Sequence, residues 1–180
     1  MQTIITMTKE KSEFGWGSLW RYYGFKGLMK DICAPIIISI VFCVGTYLST
    51  KDPLEILKAV IKLANEIVPA MIGLVLASYT ILLTFFTGDS FQKATNTAEG
   101  KKLIKGLNAN FAVCLTIQTV SIISSILISI CIEWEYTSEF AIYINIIVLF
   151  FVSFLLSYAI TSIFGMIIDI YNSGQTTALK

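Results

Sequence analysis

Apolar and polar positions alternate along this chain in long blocks, with four apolar stretches at residues 33–48, 67–86, 111–132 and 140–168. Crossing the hydrocarbon core takes about 20 residues of helix, with a range of roughly 17–25. The first stretch, at sixteen residues, is extended by Ile32 and the neutral Ser49 and Thr50, giving a span over 32–50. Its Pro35 is placed in the first helical turn, where a missing N–H costs little. The fourth has 29 residues, and as a helix it is roughly 43 Å long. It therefore has to tilt, kink or project from the membrane. The pattern predicts an all-α polytopic membrane protein with spans at 32–50, 67–86, 111–132 and 140–168, forming a transmembrane domain over 32–170.

Within the spans the small and polar residues are ordered. In the second, Ala70, Gly73, Ala77, Thr80, Thr84 and Thr87 recur at spacings of 3, 4, 3, 4 and 3, one face of a helix. Small residues let helix backbones approach closely in lipid, so this face is expected to be a packing seam. In the third span Gln118, Ser121, Ser125 and Ser129 follow spacings of 3, 4 and 4, with Thr116 and Ser124 nearby. In the fourth, Ser153, Ser157, Thr161, Gly165 and Asp169 are each four apart, and Asn145 lies about two turns before Ser153. Two explanations compete. These faces pack on one another within a protomer, hydroxyls bonding between helices, or they line a conduit shared by several protomers. On the second, Gln118, Ser121, Ser125, Ser153, Ser157, Thr161 and Asp169 are the candidate pore-lining residues, and Ala70, Gly73, Ala77, Thr80 and Thr84 remain the seam.

The segments between spans are polar. Residues 52–66 read as an external helix with Asp52 as N-cap, Pro53 at its first position and Glu55 at its third. Leu57, Val60, Ile61 and Ala64 form one face of it, Lys58, Lys62, Asn65 and Glu66 another, and Pro69 marks a kink at its junction with the second span. Residues 1–31 read as an amphipathic arm in which Trp16, Leu19, Trp20 and Tyr23 follow helical spacing among Arg21, Lys26 and Lys30. It is an interfacial anchor, or a plug, gate or docking arm. The loop over 87–110 opens with Gly88, Asp89, Ser90 and Phe91, which stop one helix and cap the next. It also holds a basic cluster, Lys101, Lys102 and Lys105. The cluster holds the loop inside, or contacts an anion such as a nucleotide, phosphate or lipid headgroup. No phosphate-loop motif accompanies it. Residues 171–180 form a short tail.

Composition sharpens the membrane reading. The 180 residues are 56% hydrophobic and 14% charged, against about 25% charged in soluble domains, with a mean hydropathy of +0.76. The net charge of +1 gives no global field for nucleic acid. Ten of the 13 lysines and arginines fall in segments 1–31, 87–110 and 169–180, and only Lys51, Lys58 and Lys62 on the other side. The positive-inside rule then puts both termini in the cytoplasm. Trp134 and Tyr136, in the last external loop, suit an interfacial belt. Residues 1–30 lack the apolar region of a cleavable signal peptide.

Candidate chemistry is sparse. With no histidine, the commonest general base and metal ligand is missing. Cys33, Cys43, Cys114 and Cys131 form no C-x-x-C pair and read as reduced thiols packed like small apolar residues. No enzyme, metal site or cofactor is expected. A pump would place charge at mid-membrane, and none lies deep here. Asp89 and Asp169 sit at span ends, where solvation accounts for them, or where they ring a pore mouth.

Residues 74–93, Leu-Val-Leu-Ala-Ser-Tyr-Thr-Ile-Leu-Leu-Thr-Phe-Phe-Thr-Gly-Asp-Ser-Phe-Gln-Lys, end in Gly88 and Asp89, followed by Phe91 and Lys93. With Ala-Pro-Ile-Ile-Ile-Ser at 34–39 and the chain length, this region resembles small four-span bacterial membrane proteins found near antiviral defence genes. The membrane effector of Hailong-type systems, and after it the membrane subunit of Kiwa-type systems, are the families it is similar to. The resemblance covers residues 34–93 and carries no catalytic motif. It implies an oligomeric protein that perturbs the inner membrane, or senses its perturbation, during infection.

The expectation is a homo-oligomeric inner-membrane channel or pore-forming effector of anti-phage defence, with cyclic symmetry and a tetramer as starting value. Its gate is cytoplasmic, from Trp16, Trp20, Arg21, Asp89, Lys101, Lys102 and Lys105. The alternatives are a sensor or scaffold that recruits a soluble cytoplasmic partner, and a holin-like lesion protein. Besides the bilayer and further copies of itself, an anionic ligand (a nucleotide or oligonucleotide) is a candidate partner. Direct sequence-specific nucleic-acid recognition is not expected.

Overall fold

The computed structural model describes residues 16–86, 97–132 and 140–178, and among them there are four helices and no strand. They are α1 (Trp16–Leu48), α2 (Pro53–Phe86), α3 (Ala98–Ile132) and α4 (Ala141–Ala178). Each is long and apolar enough to cross a membrane, over Gly27–Leu48, Pro53–Leu83, Gly100–Ile132 and Ala141–Ile168. The chain is an all-α polytopic membrane protein by this measure.

The helices overrun the boundaries expected from hydropathy. Residues 16–31 of the arm are the first half of α1, broken only at Gly24, whose backbone (φ 69°, ψ 160°) no L side chain adopts readily. Pro35 consequently lies in the interior of α1 and not in its first turn. Its ring removes the usual donor to the carbonyl of Asp31, and the Ser39 hydroxyl donates to Pro35's own carbonyl at 2.7 Å. The external helix and the second span are one continuous helix through Pro69. Its start is capped as the sequence predicts, the Asp52 carboxylate accepting from the Leu54 N–H at 3.0 Å. Residues 98–110 of the expected loop extend α3, where the Thr97 hydroxyl accepts from the Gly100 N–H at 3.0 Å. Residues 171–178 extend α4. Thr87, the Gly88–Phe91 cap with Asp89, and Trp134 and Tyr136 lie outside the described residues, as do residues 1–15.

α4 packs on all three other helices, while α1 barely touches α2. Toward one end, Leu57, Val60, Ile61, Ala64 and Val68 of α2 meet Leu149, Val152 and Leu156 of α4. Toward the other, Val75 of α2, Phe111 of α3 and Ile163 and Met166 of α4 form a second cluster, with the Tyr79 ring 4.9 Å from Phe111. The surface is apolar. In α1, Ile37, Val41, Tyr47 and Leu48 are exposed, while Pro35, Ser39, Cys43 and Thr46 are buried. Large aliphatics outside and small or hydroxyl-bearing residues inside is the arrangement of a bundle solvated by lipid, where close packing and interhelical hydrogen bonds replace the hydrophobic drive between helices.

Candidate functional site

The polar face of α3 turns inward from Asn110 to Ser129. Cys114, Gln118, Ser121 and Ser125 are all buried, and half-buried Asn110 and Ser129 continue the row by four residues at either end. From Asn110 to Ser129 the rise is about 28 Å at 1.5 Å per residue, close to the hydrocarbon thickness. The row is linked sparingly. The Gln118 amide N–H meets the Cys114 sulfur at 3.6 Å, Cys114 lies 3.3 Å from the Ser162 hydroxyl, and Ser125 donates to the Ile61 carbonyl at 3.4 Å. Gln118 Oε1, fully buried, has no partner in the protein, and neither do Asn65 Oδ1 and Ser153 Oγ. Each such group costs about 1–3 kcal/mol when it stays dry.

A cavity opens at each end of this row. The one beside the α1 arm holds about 490 Å³ between α1, α3 and α4, and its walls include Tyr22, Tyr23, Asp31, Asn110, Cys114 and Ser162. Gly27, Gly106 and Gly165 also line it, one from each helix, and their missing side chains leave the space open. The opposite one, about 410 Å³, is bounded by Lys58, Lys62, Asn65, Glu66 and Ser129. At that end Pro69 supplies no N–H to the Asn65 carbonyl, so Asn65 presents both a main-chain and a side-chain acceptor.

The arm is fastened over the first cavity through Tyr22 and Tyr23, the latter also meeting Tyr158 of α4. The Tyr23 hydroxyl donates to Asp31 Oδ2 at 2.5 Å across the Gly24 break. Burial, then this hydrogen bond to a carboxylate, pushes the Tyr23 phenol far above its ordinary pKa, so it stays a neutral donor. From α3, the Lys105 ammonium lies over the Tyr22 ring, 5.7 Å from its centre, within cation–π range.

The α3 row and Ser153 follow the first of the two alternatives, packing within the bundle. Gln118, Ser121, Ser125 and Ser153 are buried between helices of one protomer, so in this conformation they line no conduit between protomers. Bulky neighbours on α2 and α4 fill the bundle around them. Ser153 and Ser157 face a small groove of about 130 Å³ between α1, α2 and α4, away from the α3 row. Thr161 lines the larger cavity and donates back to the Ser157 carbonyl at 2.9 Å. The expected seam is on the outside of the protomer. Ala70, Gly73, Ala77 and Thr80 are exposed, and a Cβ built on Gly73 meets nothing within 4 Å. The reason lies on α2's other side, where Leu57, Val60, Ile61, Val68 and Val75 occupy the bundle interior. The side chains of Thr84 and Asp169 lie outside the described residues.

Among the described residues, the candidate gate side chains do not converge on one anion site. Arg21, Lys101 and Lys102 are exposed, and Lys105 is turned to Tyr22. Trp16 and Trp20 belong to α1, but their side chains, like Asp89, lie outside the described residues. Among the described residues no three His, Cys, Asp or Glu side chains gather to hold a metal. Tyr23 and Asn65 read from sequence only as members of helix faces, and the Tyr23–Asp31 pairing and Tyr158 have no signal there. The burial of Pro35, Ser39, Cys43 and Thr46 did have a signal, since they recur at 4, 4 and 3. No protein-family model, curated protein or solved structure matches this chain.

Proposed function

We propose that the chain is a channel-forming subunit that self-associates in the bacterial inner membrane with both termini cytoplasmic, and that it acts as an effector in antiviral defence. The observation that carries the channel reading is the neutral polar face of α3, held inside the bundle from Asn110 to Ser129 with a cavity at each end. Polar groups at membrane depth are costly and mark solute pathways. Hydroxyls and amides without deep charge suit a gated pore better than a proton pump. Self-association is supported by the exposed small face of α2, which offers a second copy close backbone approach. The orientation rests on the ten-to-three distribution of basic residues, and the defence setting on the likeness of residues 34–93 to four-span defence proteins.

The test is solute flux from liposomes holding the purified chain. Flux is expected, and it rises when residues 1–24 are deleted, because Tyr22 and Tyr23 of the arm wall one cavity. Absence of flux in the full chain and in every arm truncation overturns the channel reading. The sensor or scaffold reading draws on Lys101 and Lys102, exposed on the extension of α3. It requires a soluble protein that co-purifies and is lost on charge reversal at those two lysines.

A further inference from the structure

We infer that the cavity beneath the α1 arm is a water-filled vestibule for small monovalent cations, entered within a single protomer, with Asp31 as its counter-charge and Gln118 as its inner end. Among the described residues lining this cavity, Asp31 is the one charged group. The other polar walls are neutral: two tyrosines, the Asn110 amide, the Cys114 thiol and the hydroxyls of Thr161 and Ser162. A carboxylate at a low-dielectric mouth attracts cations and repels anions. A volume of about 490 Å³ has room for roughly fifteen waters at about 30 Å³ each.

The inner end supplies the second observation. Cys114 lines the cavity, and the Gln118 amide nitrogen rests on its sulfur, one turn deeper. Gln118 is fully buried and its Oε1 has no protein donor. Buried oxygens of this kind are satisfied by ordered water or by a cation that exchanges hydration for them. The neighbouring cavity is polar and roomy enough to deliver both. Beyond Gln118 the row continues through Ser121 and Ser125, each at most 3% exposed, so the vestibule ends there in this conformation.

The inference deepens the channel reading and rests on it. Its test reads chemical access and not flux, so the two fail separately. Inside-out vesicles holding the wild-type chain are treated with one of two membrane-impermeant methanethiosulfonates, carrying either a trimethylammonium or a sulfonate group. A cysteine thiolate attacks the reagent's sulfenyl sulfur, forms a mixed disulfide and expels the sulfinate, and the modified positions are mapped by peptide mass spectrometry. Cys114 is 2% exposed and Cys43, on α1, is 9% exposed. In a dry bundle neither reacts faster than the other. With a hydrated vestibule, the cationic reagent modifies Cys114 at least tenfold faster than Cys43, and at least fivefold faster than the anionic reagent does. Asp31→Asn brings the cation-to-anion ratio at Cys114 near one, whereas Asp31→Glu, which keeps the charge, preserves it. Labelling of Cys114 no faster than Cys43, equal rates for the two reagents, or a ratio that Asp31→Asn leaves unmoved overturns the inference. The first two outcomes are read on the native chain and need no variant to fold.

Discussion

Gly24→Ala isolates the bend that lays the arm over the vestibule. Gly24 sits at φ 69° and ψ 160°, and a Cβ there meets nothing within 4 Å. The substitution therefore adds no clash, only backbone strain of about 1–3 kcal/mol. Against this stand the arm's fastenings through Tyr22 and Tyr23. The Tyr23–Asp31 hydrogen bond to a charged acceptor contributes about 1.5–3 kcal/mol, and the Lys105–Tyr22 contact about 0.5–1 kcal/mol. The strain and the restraints are of one size. If the arm is held by about 3 kcal/mol, near one per cent is released in the native chain, and 2 kcal/mol of strain raises that to about 15 per cent. Alanine also favours the helical backbone, so the released arm straightens onto the rest of α1. Spin labels at Arg21→Cys and Lys102→Cys, both exposed positions, with the four native cysteines replaced, report the arm-to-α3 distance by double electron–electron resonance. Gly24→Ala should add a second, longer population. Gly45→Ala is the control: Gly45 is helical, exposed and also free of Cβ contacts, so alanine there gains about 0.5–1 kcal/mol and leaves the distance alone. A Gly24→Ala distribution superimposable on that of the native chain refutes the reasoning.

Other perturbations separate the remaining claims. Tyr23 has its phenol pKa raised by folding, so the contact is complete below the unfolded value of about 10 and weakens as pH rises above it. The same spin-label distance should hold steady from pH 6 to 9 and lengthen beyond pH 10. Tyr23→Phe should remove that pH dependence, and an unchanged slope in this variant would assign the titration elsewhere. Gln118→Leu removes an acceptor that no protein group satisfies, for the loss of one weak N–H to sulfur contact. With that oxygen hydrated in the native chain, the bundle should change by less than about 1 kcal/mol against SDS unfolding followed by circular dichroism, while Cys114 labelling falls at least tenfold. A loss of more than 1 kcal/mol would contradict this account of Gln118. Gly73→Leu and Ala77→Leu place bulk on the outer face of α2, so particle mass in detergent should drop toward the monomer with helicity unchanged; unaltered mass would remove that face from assembly.

The fold was legible where sequence pattern and local chemistry agree. Asp52 followed by Pro53 reads as a helix start and is one. Leu57, Val60, Ile61 and Ala64 read as one face, and all four are buried against α4. The helix ends were not legible, because hydropathy marks where lipid begins and not where hydrogen bonding stops. Residues 98–110 are polar enough to look like a loop, yet α3 continues through them, with Leu107 and Ala109 buried. The same holds for residues 16–31 of α1, where the Gly24 break, and not the start of the apolar run, is the structural boundary. Pro35 was misplaced for this reason: its position within the helix depends on where the helix begins.

The direction of each stripe escaped the sequence for a different reason. In water, burial sorts large apolar residues inward and the hydrophobic periodicity reveals the face. In lipid, a leucine face is well solvated outside, and a small or hydroxyl-bearing face packs equally well against a neighbour in the same protomer or in another copy. The row Ala70, Gly73, Ala77, Thr80 and the row Pro35, Ser39, Cys43, Thr46 have almost the same spacing. One is outside and the other inside. What separates them is the company on the opposite face: α2 carries Leu57, Val60, Ile61, Val68 and Val75 there to fill the bundle, while the opposite face of α1 is isoleucine-rich and lies outward. The vestibule was beyond reach for a third reason. Asp31, Asn110, Cys114 and Ser162 come from three helices, and no spacing along the chain links them. Only the crossing of α1, α3 and α4, with a glycine from each at the cavity wall, brings a carboxylate to the mouth of a polar row that is otherwise neutral.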